Sequence, residues 1–143
     1  MGSTWACTGS RTSSEARSWE AQLSPARSPG SRCLVAEAEA VLLITTLAAR
    51  DEAESIGEAL VEKRLAACGS VVPMVHSFFR WKGSLHREHE ALLLVKTTKA
   101  ASAAAQAEIR SRHSYENPEI LEVPVSGGSA EYLDWLASEV SPR

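Results

Sequence analysis

Cysteine is scarce in this chain, and the three that occur, Cys7, Cys33 and Cys68, form no C-x-x-C pair. An odd number without close spacing argues against a disulfide framework and against a cysteine zinc site. Cys68 stands where we expect a helix to give way to a strand, and a thiol in that setting is commonly a buried structural residue. We therefore expect Cys68 to lie in the core.

Long apolar runs and a strong excess of one charge are also missing. No run approaches the roughly 20 residues that a membrane span needs, and the first residues lack the apolar core of a secretory signal. The formal net charge of -3 gives no reason to expect nucleic-acid binding. We expect a cytoplasmic protein without a membrane or nucleic-acid partner.

Familiar catalytic motifs are absent as well. The sequence has no G-x-S-x-G, no glycine-rich phosphate loop after a strand and no spaced pair of carboxylates with an obvious cleft. We therefore expect that the protein is not an enzyme. The alternative is an enzyme in which His113 acts as an acid or base at a cleft between subunits.

The first 38 residues differ from the rest in composition. They are rich in Ser, Arg, Gly and Pro and show no apolar periodicity, so they cannot bury enough surface to offset the entropy of ordering. We predict a disordered N-terminal tail over 1–38 and one folded domain over 39–143. The Arg and Ser bias leaves organelle targeting open, but an ordinary extension or a mis-set start codon is the favoured interpretation.

The remaining residues predict alternating strands and helices. The predicted elements, in order, are a buried strand at 41–46, a helix at 50–67 with Asp51 as its cap, extended runs at 69–81 and 85–98 joined by a turn at 82–84, a helix at 99–113, a strand at 119–125 and a short helix at 132–140. Pro124 removes one ladder donor and indicates an edge strand or a bulge. Ser129 is the expected cap of the last helix.

This order predicts an α+β fold, a ferredoxin-like βαββαβ sandwich with a long hairpin between its second and third strands and a short C-terminal helix. Both main helices then cover the same face of the sheet. The other face carries apolar residues and is left without a cover. Another copy of the chain is the simplest cover for it.

Five blocks of sequence resemble the CutA divalent-cation tolerance family. They are K-R-L-A-A-C at 63–68, S-x-F-x-W-x-G-x-L at 77–85 with Glu88 and Glu90, K-T-T at 96–98, H-x-Y-x-x-P-E at 113–119 and Y-L-x-W-L at 132–136. They occur in the family's order and span essentially the whole domain. The resemblance implies the ferredoxin-like fold and a homotrimer whose long hairpins pair between subunits. In architecture it also resembles the PII signalling proteins.

The trimer gives the aromatic residues a role. An over-long hairpin needs partners for its exposed backbone, and strands of a neighbouring subunit supply them. Phe78, Phe79 and Trp81, close to the hairpin turn, are therefore expected to pack at a subunit interface; a platform for stacking a ligand is the alternative.

The family's name directs attention to metal ligands. The run from His86 to Glu90 looks metal-like, but a strand sends His86 and His89 to opposite faces, so we interpret it as a solvated hairpin arm. His113 and Glu119 are the better pair, because a turn can bring an imidazole and a carboxylate together. The alternative is that His113 orders its loop while Glu119 forms an ion pair.

The resemblance names a divalent metal ion such as copper as the candidate ligand, and no other cofactor is indicated. Copper-binding members carry a cysteine at the position of Thr45 and a histidine at that of Arg112. Neither residue is present, which predicts weak affinity for soft metals.

A wider polar cluster is the remaining candidate site. Its members are Glu90, Lys96, His113, Tyr115 and Glu119. We expect Glu90, Lys96 and Tyr115 to line a cleft between subunits that binds a small ligand. The leading hypothesis is thus a trimeric divalent-cation tolerance protein that binds or signals without turnover; the alternative is a PII-like module that binds a small metabolite.

Overall fold

The structure is a computed structural model, and it describes residues 39–141. The predicted tail at 1–38 lies outside the described residues. The elements are β1 (Ala40–Leu47), α1 (Arg50–Glu62), β2 (Cys68–Trp81), β3 (Ser84–Thr98), α2 (Lys99–Arg112), β4 (Leu121–Pro124) and α3 (Ala130–Glu139). In the described part of the chain, no helix is long and apolar enough to cross a membrane.

The strands form one antiparallel sheet in the order β2-β3-β1-β4. Alternate residues of β1 and β3 point into the core, where Leu43 and Leu93 are completely buried. Ile56 of α1 and Ile109 of α2 join the same apolar cluster, so both helices cover one face. This arrangement confirms the predicted α+β, ferredoxin-like fold.

The hairpin of β2 and β3 is longer than the rest of the sheet. β1 pairs with β3 only between Ala91 and Thr98, whereas β2 continues to pair with β3 as far as the turn. That turn has two residues, Lys82 with φ 47° and Gly83 with φ 84°, as expected where positive φ values match the strand twist. The turn is one residue shorter than predicted. The far half of the hairpin therefore extends beyond β1.

The boundaries of α1 differ from the prediction. The helix begins after Ala49, whose side chain cannot cap, so the assignment of Asp51 as the cap was wrong. It ends at Glu62, not at 67, because Arg64 adopts φ 57° and the amide of Leu65 bonds back to the carbonyl of Leu60. This left-handed turn ends the helix in the way that glycine usually does.

The C-terminal helix packs where β1 begins. Leu136 and Val140 are buried against Ala40, and the hydroxyl of Tyr132 reaches the thiol of Cys68. Burial, followed by this thiol, raises the pKa of Tyr132. Cys68 is half-buried, not a full core residue as predicted. α3 thus shields one end of the second sheet face.

The remaining differences are small. β4 covers four residues, fewer than predicted, and it is an edge strand, as Pro124 indicated. Ser129 precedes α3 at the cap position but makes no capping bond to the helix backbone. At the start of α2, by contrast, the side chain of Thr98 accepts a hydrogen bond from the amide of Ala101 and fixes that helix end.

Candidate functional site

The candidate residues gather where β1 ends. His113 follows the last residue of α2, and its Nε2 lies 2.9 Å from the carbonyl oxygen of Thr46 and 3.3 Å from the hydroxyl of Thr45. Its Nδ1 accepts a hydrogen bond from the amide of Tyr115 at 3.1 Å. Because a carbonyl can only accept, Nε2 is the donor to Thr46. Both nitrogens are therefore engaged.

Tyr115 extends the cluster to β3. Its hydroxyl donates to the carboxylate of Glu90 at 2.8 Å, and Glu90 is only 7% exposed. Burial raises the pKa of Tyr115 to about 12, and the bond to Glu90 adds to this shift. The tyrosine ring also lies 5.1 Å from the His113 ring, centroid to centroid. The hydroxyl is thus a donor that holds a buried carboxylate, not a base.

Glu119 also contacts β1. Its carboxylate accepts a hydrogen bond from the hydroxyl of Thr46 at 3.2 Å. His113 and Glu119 therefore meet at the same two-residue segment, Thr45 and Thr46, although their polar contacts are with β1 and not with each other. No ion pair of Glu119 is found within the described residues, so the alternative in which it pairs with a lysine or arginine finds no contact there.

The loop that carries these residues is tied down by a contact that the sequence did not suggest. Glu52 in the first turn of α1 accepts hydrogen bonds from the amide of Ser114 at 2.7 Å and from its hydroxyl at 3.0 Å. The two residues lie 62 positions apart. No local signal identifies such a pair, because it depends on how α1 and α2 lie side by side.

Lys96 is separate from this cluster. It lies six residues along β3 from Glu90 on the same side of the strand, which corresponds to about 20 Å. Its ammonium group donates to the hydroxyl of Ser70 and lies 3.8 Å from the sulfur of Cys68. The structure thus brings together Glu90, His113, Tyr115 and Glu119, and it leaves Lys96 near α3.

The aromatic residues near the hairpin turn are exposed. Phe78, Phe79 and Trp81 have 65%, 40% and 49% of their surface accessible. Phe79 stacks on the ring of His86 with 5.4 Å between centroids, and the guanidinium of Arg87 lies 5.8 Å from the centre of Phe78. Among the described residues they join no buried core, so an apolar surface remains at this end.

His113 and Glu119, with Thr45 and Thr46 between them, form what we call the β1 site. Its ligand chemistry is limited. Within residues 39–141, no group of three or more His, Cys, Asp or Glu side chains is placed to hold a metal ion. Arg112, where the resemblance places a histidine in copper-binding members, donates to Glu108. The donors available for a cation are the free oxygen of Glu119 and, if its present hydrogen bonds are released, an imidazole nitrogen.

Comparisons with known proteins agree with the fold and with the sequence blocks. A family model described as CutA1 divalent ion tolerance protein matches residues 41–139. "Divalent-cation tolerance protein CutA" of Thermus thermophilus is 45% identical over 98 residues, which is 68% of this chain and 94% of that protein. "Protein CutA, chloroplastic" of Arabidopsis thaliana is 30% identical and matches 67% of this chain and 53% of its own length.

A solved structure gives the same result. The divalent cation tolerance protein (Cut A1) from Thermus thermophilus superposes with a TM-score of 0.70 at 39% sequence identity, covering 71% of this chain and 99% of that chain. The family match at 41–139 extends over the sheet, its helices and the loop that carries His113. The chain belongs to the CutA1 divalent ion tolerance protein family.

Proposed function

We propose that this chain acts in divalent-cation tolerance by binding a cation, without turnover, as a homotrimer. The observation that carries the binding part is the convergence of His113 and Glu119 on Thr45 and Thr46. Glu119 supplies an oxygen donor, and His113 supplies a nitrogen once Nε2 exchanges the carbonyl of Thr46 for a metal ion. Because this exchange sacrifices hydrogen bonds and gives only two donors, the affinity is low and the ion is released readily.

Metal titration of the purified protein tests this site. Glu119→Gln keeps the shape of the side chain but removes its charge, so it weakens binding of Zn²⁺ or Cu²⁺ at this site, as does His113→Ala. Thr45→Cys is the informative opposite change, because it places a soft thiolate close to Nε2, which now lies 3.3 Å from the Thr45 hydroxyl, and should strengthen copper binding at least about tenfold. Equal affinity in wild type and all three variants would contradict the proposal.

The assembly part rests on the hairpin. Its exposed aromatic residues and its extension beyond β1 leave apolar surface and edge backbone that a neighbouring copy can cover. We place Phe78, Phe79 and Trp81 in that interface. Light scattering at micromolar protein should give three times the mass of the chain, and Phe78→Asp should reduce it. A monomeric wild type would refute the assembly.

Location and the N-terminal segment are separate proposals. We place the protein in the cytoplasm; import into an organelle is the alternative, given that the Arabidopsis relative is named as chloroplastic. A fusion of residues 1–38 to a fluorescent protein distinguishes these, because only a targeting peptide would move the reporter into an organelle.

We also expect that deleting 1–38 leaves the melting temperature nearly unchanged, and a large drop would mean that the segment packs on the domain.

A further inference from the structure

A pair of imidazoles lies on the hairpin and includes no residue of the β1 site. His76 of β2 and His89 of β3 are directly opposite in the ladder, and their ring centroids are 4.4 Å apart at an angle of 66°. His86, by contrast, stacks on Phe79 on the other face. Strand alternation therefore places His86 and His89 on opposite faces, and the register places His89 beside His76 of the neighbouring strand.

We infer that His76 and His89 form a two-imidazole chelate for a divalent transition-metal ion. Imidazole nitrogen is a preferred ligand of Cu²⁺, Ni²⁺ and Zn²⁺, whereas Mg²⁺ and Ca²⁺ prefer oxygen. The chelate is independent of the His113 and Glu119 site and uses neither of those residues.

The ring separation suits this role. With a metal–nitrogen bond of about 2.0–2.1 Å, a ring centroid lies about 3.2 Å from a bound ion. Two centroids 4.4 Å apart then subtend an angle of about 90° at the ion, the angle between neighbouring ligands in tetragonal Cu²⁺ and Ni²⁺ complexes.

The nitrogens of this pair are also available. Within the described residues, neither His76 nor His89 makes a hydrogen bond, and both side chains are exposed. His113 differs in this respect, since both of its nitrogens are engaged. Arg87 lies on the same face, two residues closer to the turn, and its guanidinium lies over the ring of Phe78. Within the described residues of one chain, the chelate thus needs no existing contact to be broken.

A bound ion would clip β2 to β3 at the part of the hairpin that β1 does not support. Any ligand that binds only the folded state stabilises it in proportion to the logarithm of its concentration over Kd. The affinity order should follow Cu²⁺ above Ni²⁺ and Zn²⁺, with no response to Mg²⁺. The remaining coordination positions are left to water.

The test is Ni²⁺ titration of the full-length protein by calorimetry, with wild type, His76→Gln, His89→Gln and the double variant. Each single variant should weaken the hairpin site at least about tenfold, because a chelate loses most of its affinity with either arm. The double variant should be no weaker than the singles by more than about threefold, since one remaining imidazole binds little.

Two controls separate this site from others. His86→Gln removes a histidine from the opposite face of the same strand and should leave Ni²⁺ affinity unchanged. Glu119→Gln should also leave the hairpin site intact, so failure of the β1 site and failure of this one are distinguishable. The proposal is overturned if His76→Gln changes affinity less than twofold, or if His86→Gln weakens it equally. Circular dichroism confirms that each variant is folded, and a Ni²⁺-dependent rise in melting temperature that is undiminished in the double variant would likewise refute the chelate.

Discussion

The hydrogen bond between Tyr115 and Glu90 offers a direct test of how the site is held together. Tyr115→Phe removes only the hydroxyl that donates to the carboxylate at 2.8 Å. Glu90 is 7% exposed, so in this variant its carboxylate would lose a hydrogen-bond donor that water can replace only poorly. Glu90→Gln removes the charge and keeps the shape. We expect both variants to be less stable than wild type.

The size of the effect follows from the environment of the two groups. A hydrogen bond to a charged group contributes about 1.5–3 kcal/mol. Tyr115 is 36% exposed, and solvent screening therefore brings the expected value to the bottom of this range or just below it, about 1–1.5 kcal/mol. The bond couples the two side chains, so the double variant should be less destabilised than the sum of the singles by about this amount.

Urea unfolding of the four proteins measures this coupling. Protomer concentration has to be equal in all samples, because the stability of an oligomer depends on it. A coupling free energy below about 0.3 kcal/mol, within the additivity expected of independent sites, would refute the claim that this bond holds the loop to β3.

The same bond makes an alkaline prediction. The pKa of Tyr115 is raised from 10.0 to about 12, so the folded state favours the neutral phenol. This contribution is complete below pH 10 and is lost as the pH rises toward 12. Wild type should therefore lose stability over that interval, and Tyr115→Phe should lose less. Parallel curves for the two proteins would contradict the assignment.

Three further predictions concern the scaffold. Arg64→Ala removes guanidinium bonds of 3.0 and 2.9 Å to the last carbonyls of α3 and should lower the free energy of unfolding by about 1 kcal/mol. Arg64→Gly should lower it less, because glycine accepts φ 57° without strain. Urea midpoints in the reverse order would contradict this prediction. Leu60→Ala, at a site with no exposed surface, should lower the free energy of unfolding by about 2–5 kcal/mol. Val61→Ala, at 40% exposure, should change it by no more than about 0.5 kcal/mol. Equal losses in the two variants would mean that Leu60 does not lie in the core. The hydrogen bond from Lys99 lowers the pKa of Glu122 below its ordinary 4.5, so the ionised carboxylate stabilises the fold above that pH and this stabilisation is lost as the pH falls below it. During acid titration, Glu122→Gln should therefore lose less stability than wild type. An identical acid midpoint in the two proteins would refute the role of the ion pair.

Elements with local signals could be predicted from the sequence. Apolar and β-branched runs identified the strands, and Pro124 indicated an edge strand or a bulge because it cannot donate to a ladder. The end of α1 could not be predicted in this way. Arg64 ends the helix in a left-handed conformation, and its side chain is held by carbonyls 74 and 75 positions later in the chain. Tertiary contacts therefore decided a boundary that propensity alone extended by five residues.

The candidate site shows the same division. Glu90, Tyr115 and His113 could be grouped from their blocks, but the contact of Glu52 with Ser114 requires the packing of the helices. Lys96 was grouped with them by type, although the rise of a strand already separates positions 90 and 96 by about 20 Å. Sequence blocks identify which residues matter more readily than they identify which of them touch.

The His76 and His89 pair was hidden by one residue of register. A three-residue turn at 82–84 places residue 81 opposite 85, and His76 then faces Glu90. The structure has a two-residue turn, Trp81 pairs with Ser84, and His76 faces His89. Because a slip of one residue changes every partner along a hairpin, an error in the turn concealed a pair of ligands several residues away.

The histidines also differ in what their surroundings leave free. At the β1 site, Nε2 of His113 donates to the carbonyl of Thr46 and Nδ1 accepts from the amide of Tyr115, so a metal ion competes with the bonds that order the loop. On the hairpin, the rings of His76 and His89 touch each other and make no hydrogen bond within the described residues. An ion binds there without disturbing the fold, whereas binding at His113 changes the loop that joins α2 to β4. Occupancy of the hairpin site should therefore be nearly silent in the rest of the chain, and occupancy of the β1 site should alter the surroundings of Glu90 and Glu119 together.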